Sequence, residues 1–424
     1  MDATWLLFTL GVALIFGKIG DHLMERVELP GVLGEILMGM ILGNLVYFGL
    51  VSPEYLTLHP SDTFEFLAKL GIIFLLFLGG LDTEVEMLKK TGSIATVSTV
   101  LGVFVPLILG WFGLKLMGYP SREAFAGGIL LTATSIGITV RVMMDLGVLR
   151  SEVGAASLSA SVMDDFLGIA LIIFAVGSGS VLGLISKMAV FFIITGIVAW
   201  YTVDKYLRFA EWLHVEKGVL AMVLALMFLF SALAQHWFDA AIEGAFMAGI
   251  VLSRLPEGKK LMEEIKSIAY GLVVPIFFVY TGAMLDLRVF ASRDALTLAA
   301  VLSIIAVIGK VAGRGFGAII MGWDFKKSLQ MGIGSIPRTE VALVDLMVAI
   351  HGGAIPQSDA QKFIAATLIF ITVSVLITPP LLKWAFREDV EAMKRGEMEE
   401  RKSSISETKK KIAETKKPRK ILKR

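Results

Sequence analysis

Thr132-Ala133-Thr134-Ser135-Ile136-Gly137-Ile138-Thr139 lies near the middle of an apolar stretch, 122–144. The run mixes β-branched and small polar residues with a glycine, and such a mixture is poor helix. A second apolar stretch, 328–350, carries Gly332-Ile333-Gly334-Ser335-Ile336-Pro337-Arg338 near its own middle. Pro337 has no amide hydrogen and cannot continue a regular helix. Both stretches are long enough to cross a bilayer, which takes about 20 mostly apolar residues. One such break reads as a packing kink. Two breaks at corresponding positions read as a site, because unwound backbone at that depth survives only where protein or a wet cavity satisfies it.

The span count decides whether the positions correspond. Apolar stretches fall near 3–19, 31–49, 64–82, 92–117, 122–144, 152–176, 180–200, 218–235, 240–253, 268–284, 295–320, 328–350 and 363–385. These thirteen divide into six, one and six. Repeat one covers about 3–176, a linking helix about 180–200, and repeat two about 218–385. The odd number of spans before repeat two inverts its topology. Thr132 and Gly137 then mark the break in the fifth span of the first repeat, and Gly334 and Pro337 the break in the fifth span of the second. The third spans match too, ending on Gly79-Gly80-Leu81-Asp82 and Thr281-Gly282-Ala283-Met284-Leu285-Asp286. The fold class expected is an all-α polytopic membrane protein of about thirteen transmembrane helices, with two inverted six-helix repeats and crossing broken helices.

Composition agrees. Of 424 residues, 56% are hydrophobic and only 18% charged, and there is no cysteine. This excludes a soluble globular enzyme, a disordered chain, a nucleic-acid-binding domain, disulfides and Cys-ligated metal. The charge is concentrated in a tail, 387–424, with a net charge of +6 that leaves −4 for residues 1–386. With that tail inside, inner loops and their margins hold fourteen Lys and Arg and outer loops five. The positive-inside rule then places the N-terminus outside and the C-terminus in the cytoplasm, in the cell membrane. Met1-Asp2-Ala3-Thr4 lacks the basic start of a signal peptide, so the first span reads as retained. The basic end of the tail, Lys409 to Arg424, reads as a solvated segment, with attraction to anionic lipid as the runner-up.

Few charges remain inside the spans. Asp164 and Asp165 stand at the middle of the sixth, in Ser161-Val162-Met163-Asp164-Asp165-Phe166-Leu167-Gly168. An acid at that depth costs about 2.5–3.5 kcal/mol even on a lenient scale, and an Asp side chain is too short to snorkel. Adjacent helical residues point about 100° apart, so the two carboxylates face different neighbours. Lys310, mid-span in Ala306-Val307-Ile308-Gly309-Lys310-Val311, is the candidate charge partner. Carboxylate oxygens suit a proton or a partly dehydrated monovalent cation, and the two compete for one site. Hydroxyls and freed carbonyls at Thr134 and Ser135 complete the shell in this reading. Asp164 and Asp165 would thus ligate a transported cation rather than a resident metal. Glu35, Glu243, Arg338, Glu340 and Arg141 read as structural ion pairing, with Arg338 and Glu340 paired to each other or with Arg141. Arg314 reads as the mark of a span end.

Gly313-Arg314-Gly315-Phe316-Gly317 follows no strand and reads as close helix packing rather than a phosphate loop. The five histidines have no metal spacing, and no cofactor is implied. An intramembrane aspartyl protease would need acids on two helices and a Gly-x-Gly-Asp motif, which does not occur. The chain therefore reads as a transporter, not an enzyme.

The motifs also carry a resemblance. Thr132 to Val142 followed by Leu146-Gly147-Val148-Leu149, Asp164-Asp165, and Gly34-Glu35-Ile36-Leu37-Met38-Gly39-Met40-Ile41-Leu42-Gly43 are similar to signatures of the cation:proton antiporter-2 family. So are Gly244-Ala245-Phe246-Met247-Ala248-Gly249, Pro275-Ile276-Phe277-Phe278 and Pro337-Arg338-Thr339-Glu340-Val341. The set runs in family order and looks most like the NapA-like sodium/proton antiporters. The resemblance implies an NhaA-like fold, a homodimer and an elevator-like shift of a core domain. It implies that Asp165 carries Na+ or Li+ and H+, with Asp164 assisting and paired to Lys310. It further implies that exchange is electrogenic. The alternative is a K+/H+ antiporter or a Kef-like potassium efflux protein. The absence of a C-terminal nucleotide-binding domain weighs against that alternative.

Overall fold

Lipid offers no hydrogen bonds, so apolar spanning segments must close their own backbone, and the helix does so within each segment. The computed structural model describes residues 3–56, 58, 62–176, 181–238, 240–291, 293–393 and 395. Most of the charged tail, from 396 onward, lies outside the described residues.

Among the described residues sixteen α-helices follow in order: α1 Ala3–Arg26, α2 Gly31–Tyr47, α3 Asp62–Asp82, α4 Val85–Leu116, α5 Ser121–Ile129, α6 Ile136–Asp145, α7 Glu152–Val176, α8 Val181–Trp212, α9 Gly218–Phe238, α10 Ala241–Ser253, α11 Pro256–Ile268, α12 Val274–Ala283, α13 Arg293–Ile320, α14 Phe325–Ile333, α15 Glu340–His351 and α16 Gln357–Ala385. A π-helical turn, Ala269–Val273, joins α11 to α12. Among the described residues nine segments are long and apolar enough to span a bilayer. The shorter apolar helices α2 and α10 add two spans, and the broken pairs α5–α6 and α14–α15 add two more. The total is the expected thirteen. Several helices outrun their apolar stretches: α4 begins at Val85 and α8 continues to Trp212.

The packing separates two bodies. One is built from α1, α2, α3, α9, α10 and α12, the other from α4, α5, α6, α7, α13, α14, α15 and α16. Within them the repeats answer each other. The contact of α3 with α10 has its counterpart in α12 with α2, and that of α4 with α7 in α13 with α16. Likewise α5 lies on α4 as α14 lies on α13. This correspondence is what two inverted six-helix repeats require.

Small residues set the distance of approach, as they do between helices in lipid. A Cβ on Gly39 would sit 2.0 Å from the Val279 carbonyl oxygen, and one on Gly249 would sit 2.3 Å from that of Phe77. These are the α2–α12 and α3–α10 seams. In the second body Gly313 and Gly317 rest on Leu101 and Ser98 of α4, so the glycine run of α13 is a packing seam. The outer face of α8 exposes Ile193, Ile194, Ile197, Val198 and Tyr201, an apolar surface fit for lipid or another subunit.

Candidate functional site

The broken helices cross and are bonded to each other. Helix α5 ends at Ile129 and α6 starts at Ile136; α14 ends at Ile333 and α15 starts at Glu340. Across the gap the Ser135 amide donates to the Pro337 carbonyl at 2.8 Å, and Thr139 Oγ1 donates to the Gly334 carbonyl at 2.6 Å. Pro337 supplies the break because it lacks a donor and disfavours helix in the residue before it. Thr132 Oγ1 donates to the Ile129 carbonyl at 2.8 Å, satisfying the end of α5. Gly334 leaves room for Thr139, whose Cγ2 would lie 3.2 Å from an added Cβ. Gly137 sits against Ile72 and Phe277 of the other body.

Arg338 ties the crossing together. It is 1% exposed, and Nη2 donates to the Leu131 carbonyl at 2.8 Å. Nη1 donates to the Ser335 carbonyl at 2.9 Å and to that of Ile336. One guanidinium therefore serves the carbonyl ends of both α5 and α14, where the helix dipoles are negative. Arg338 is thus bonded to carbonyls and not paired with Arg141; the expected pairing with Glu340 falls on a side chain outside the described residues. Five donors on a planar fork suit several carbonyls better than one acid. Arg141 instead pairs with Asp145, one turn along its own helix, at 2.9 Å and lies over the Tyr270 ring at 4.3 Å. Glu340 opens α15; its side chain lies outside the described residues. Glu35 is fully buried and accepts from Lys18 Nζ at 2.9 Å.

Beside the crossing stands the acidic pair of α7. Asp164 is fully buried, and three donors end on one of its oxygens. Oδ2 accepts from Thr134 Oγ1 at 2.6 Å, from Lys310 Nζ at 2.8 Å and from Arg314 Nη2. Thr134 comes from the first break, and Lys310 and Arg314 from α13. Arg314 is fully buried inside a helix that continues to Ile320, so it does not mark a span end. It passes through a notch in α4, where a Cβ on Gly102 would lie 2.5 Å from Arg314 Cγ. The second oxygen of Asp164, Oδ1, is buried with no hydrogen-bond partner.

Asp165 faces elsewhere. Its carboxyl meets that of Glu243, in the first turn of α10 in the other body. Its Oδ1 is buried without a hydrogen-bond partner, as is Ser135 Oγ. The structure thus brings Asp164, Lys310 and Thr134 together and adds Arg314. It turns Asp165 toward Glu243 and leaves Ser135 on neither. Another buried acid, Asp345 on α15, escaped the sequence reading; its Oδ2 has no partner. The signal was there, a carboxylate in the middle of an apolar half-helix. Among the described residues no three His, Asp or Glu side chains form a metal cage.

Comparison with known proteins identifies the family. Residues 11–387 match the family model described as "Sodium/hydrogen exchanger, transmembrane". The chain is 31% identical over 395 residues to the Na+/H+-K+ antiporter GerN of Bacillus cereus, covering 91% of this chain and 98% of that protein. It is 31% identical over 437 residues to the high-affinity Na+/H+ antiporter NhaS3 of Synechocystis sp., covering 93% and 92%. The sodium proton antiporter MjNhaP1 of Methanocaldococcus jannaschii shares the fold, with a TM-score of 0.62 at 19% identity over 91% of this chain and 98% of that one. By this match over residues 11–387 and these relatives, the chain belongs to the sodium/hydrogen exchanger family.

Proposed function

We propose that the chain is a secondary antiporter that exchanges Na+ or Li+ for protons, with Asp165 as the carrier of both. One observation carries this reading. Asp164 has three donors on a single oxygen, whereas Asp165, the next residue, makes no ion pair with a cation among the described residues. A proton or a monovalent cation neutralises Asp165 equally well, so the two exclude each other. The unloaded, charged carboxylate is costly to move through low dielectric, which makes exchange obligatory. Asp164 holds Lys310 in place and assists.

The division into two bodies supports an elevator-like alternating access in which the body carrying Asp165 moves against the other. Lys310, fixed on Asp164, supports electrogenic exchange. The repeats are assigned to about 3–176 and 218–385, linked by 180–200, in a membrane domain of 1–386. The N-terminus faces outward and the tail faces the cytoplasm at the cell membrane. The apolar face of α8 supports a homodimer. A second reading, K+ exchange or Kef-like efflux, is favoured by the relative named a Na+/H+-K+ antiporter.

Proteoliposomes with an imposed pH gradient test the proposal. Addition of Na+ or Li+ should dissipate the gradient, faster when voltage is clamped. Dissipation by K+ alone would favour the second reading, and insensitivity to the clamp would refute electrogenic exchange.

A further inference from the structure

Arg314 and Glu243 take on meaning together. With Asp164 countered by Lys310 alone, a charged Asp165 would leave a site one unit negative, ready for one monovalent cation. Arg314 upsets that balance, because it places a second cation on Asp164. Lys310, Arg314, Asp164 and Asp165, all charged, sum to zero, and an arriving Na+ would leave a net positive cluster in low dielectric. Glu243 restores the missing negative charge at the right place, against Asp165. Arg338, the other buried cation acting on Asp164, is offset by the carbonyl ends of α5 and α14 that it serves, so the remaining five groups sum to −1, which one monovalent cation neutralises.

Geometry agrees with the charge. Glu243 is 6% exposed and reaches Asp165 from the first turn of α10. Two carboxyl groups in contact need a positive species between them. Beside the pair, the fully buried Asp164 keeps Oδ1 without a partner, and Asp165 Oδ1 is also buried and unpartnered. Oxygen ligands are thus available where carboxylates from two bodies converge.

We propose that Glu243 is a second carboxylate ligand for the transported cation, contributed by the body opposite Asp165, and that it sets the affinity for that cation. This rests on the reading of Asp165 as the carrier. Because Glu243 and Asp165 belong to different bodies, Glu243 would ligate in the access state in which they meet. Cation affinity would then differ between the two faces of the membrane.

The test is Na+ binding and Na+-driven exchange by the full-length protein, comparing Glu243→Gln, Glu243→Asp and Asp165→Asn. Glu243→Gln keeps the side chain's size and one acceptor oxygen but removes its charge. It should weaken Na+ binding and raise the Na+ KM by about tenfold or more, with the rate at saturating Na+ changed far less. Glu243→Asp should recover most of the affinity. Unchanged Na+ affinity in Glu243→Gln, alongside its loss in Asp165→Asn, overturns the role of Glu243 alone. A fall in rate at unchanged KM also overturns it, because that is the signature of a merely structural residue. Binding that survives Asp165→Asn overturns the underlying reading instead.

Discussion

Lys310 and Arg314 stand one helical turn apart on α13 and donate to the same oxygen, Oδ2 of Asp164. Residues four apart share a helix face, so one stripe of α13 delivers both charges. Removing one partner of a buried pair costs about 3–5 kcal/mol, since it strands the other. Here each cation insures the other. Arg314→Met and Lys310→Met should each lower thermal stability less than that range, and the double variant should lower it by more than their sum. Melting of the purified protein in detergent gives the four corners of the cycle. Strict additivity would show that the two cations do not share Asp164.

Arg338 is expected to tolerate no substitution. Arg338→Lys keeps the charge but offers a single nitrogen where three carbonyls of two half-helices are served. It should lose transport and destabilise the protein by about 2 kcal/mol or more, as buried carbonyls go unpaired. Wild-type exchange and melting in Arg338→Lys would mean the crossing holds without the fork.

The glycine seams make a paired prediction. Gly39→Ala puts a methyl 2.0 Å from the Val279 carbonyl oxygen, which forces α2 and α12 apart. Gly92 has nothing within 4 Å of its Cβ position. Gly92→Ala should be neutral or stabilising by about 1 kcal/mol, because alanine is the better helix former. Gly39→Ala should yield little folded protein by size-exclusion profile, and equal yields would contradict the seam.

Thr134 ties the first break to Asp164 at 2.6 Å. Thr134→Val removes that donor at nearly constant volume, leaving Asp164 to the two cations. A loss of about 1–3 kcal/mol and slower exchange are expected. Thr134→Ser should behave like wild type. Equal stability of the Val and wild-type proteins would show that the break is not anchored through this hydroxyl.

Much of this arrangement could be read from the chain. Pro337 and the Thr132–Thr139 run betrayed the breaks because backbone chemistry is local. Lys310 and the Asp164-Asp165 pair betrayed each other because a bilayer makes mid-span charge expensive, while the choice of Asp164 as the partner came from the family resemblance. Arg314 was harder. Whether an arginine ends a span or turns inward depends on the notch that Gly102 opens in a helix two hundred residues earlier. Glu243 hid for a similar reason. A short helix with an acid in its first turn says nothing about which carboxylate of another repeat it meets. The role of Arg338 at the crossing is hidden in the chain because sequence shows charges but not the orphaned carbonyls they serve.

The central claim, that Asp165 carries both ion and proton, meets its most direct test in Asp165→Asn reconstituted into proteoliposomes. Na+-dependent dissipation of a pH gradient is compared with that of wild type, on protein shown to be folded by its melting curve. The account predicts a folded variant with no Na+-dependent exchange. Full exchange by folded Asp165→Asn would contradict it.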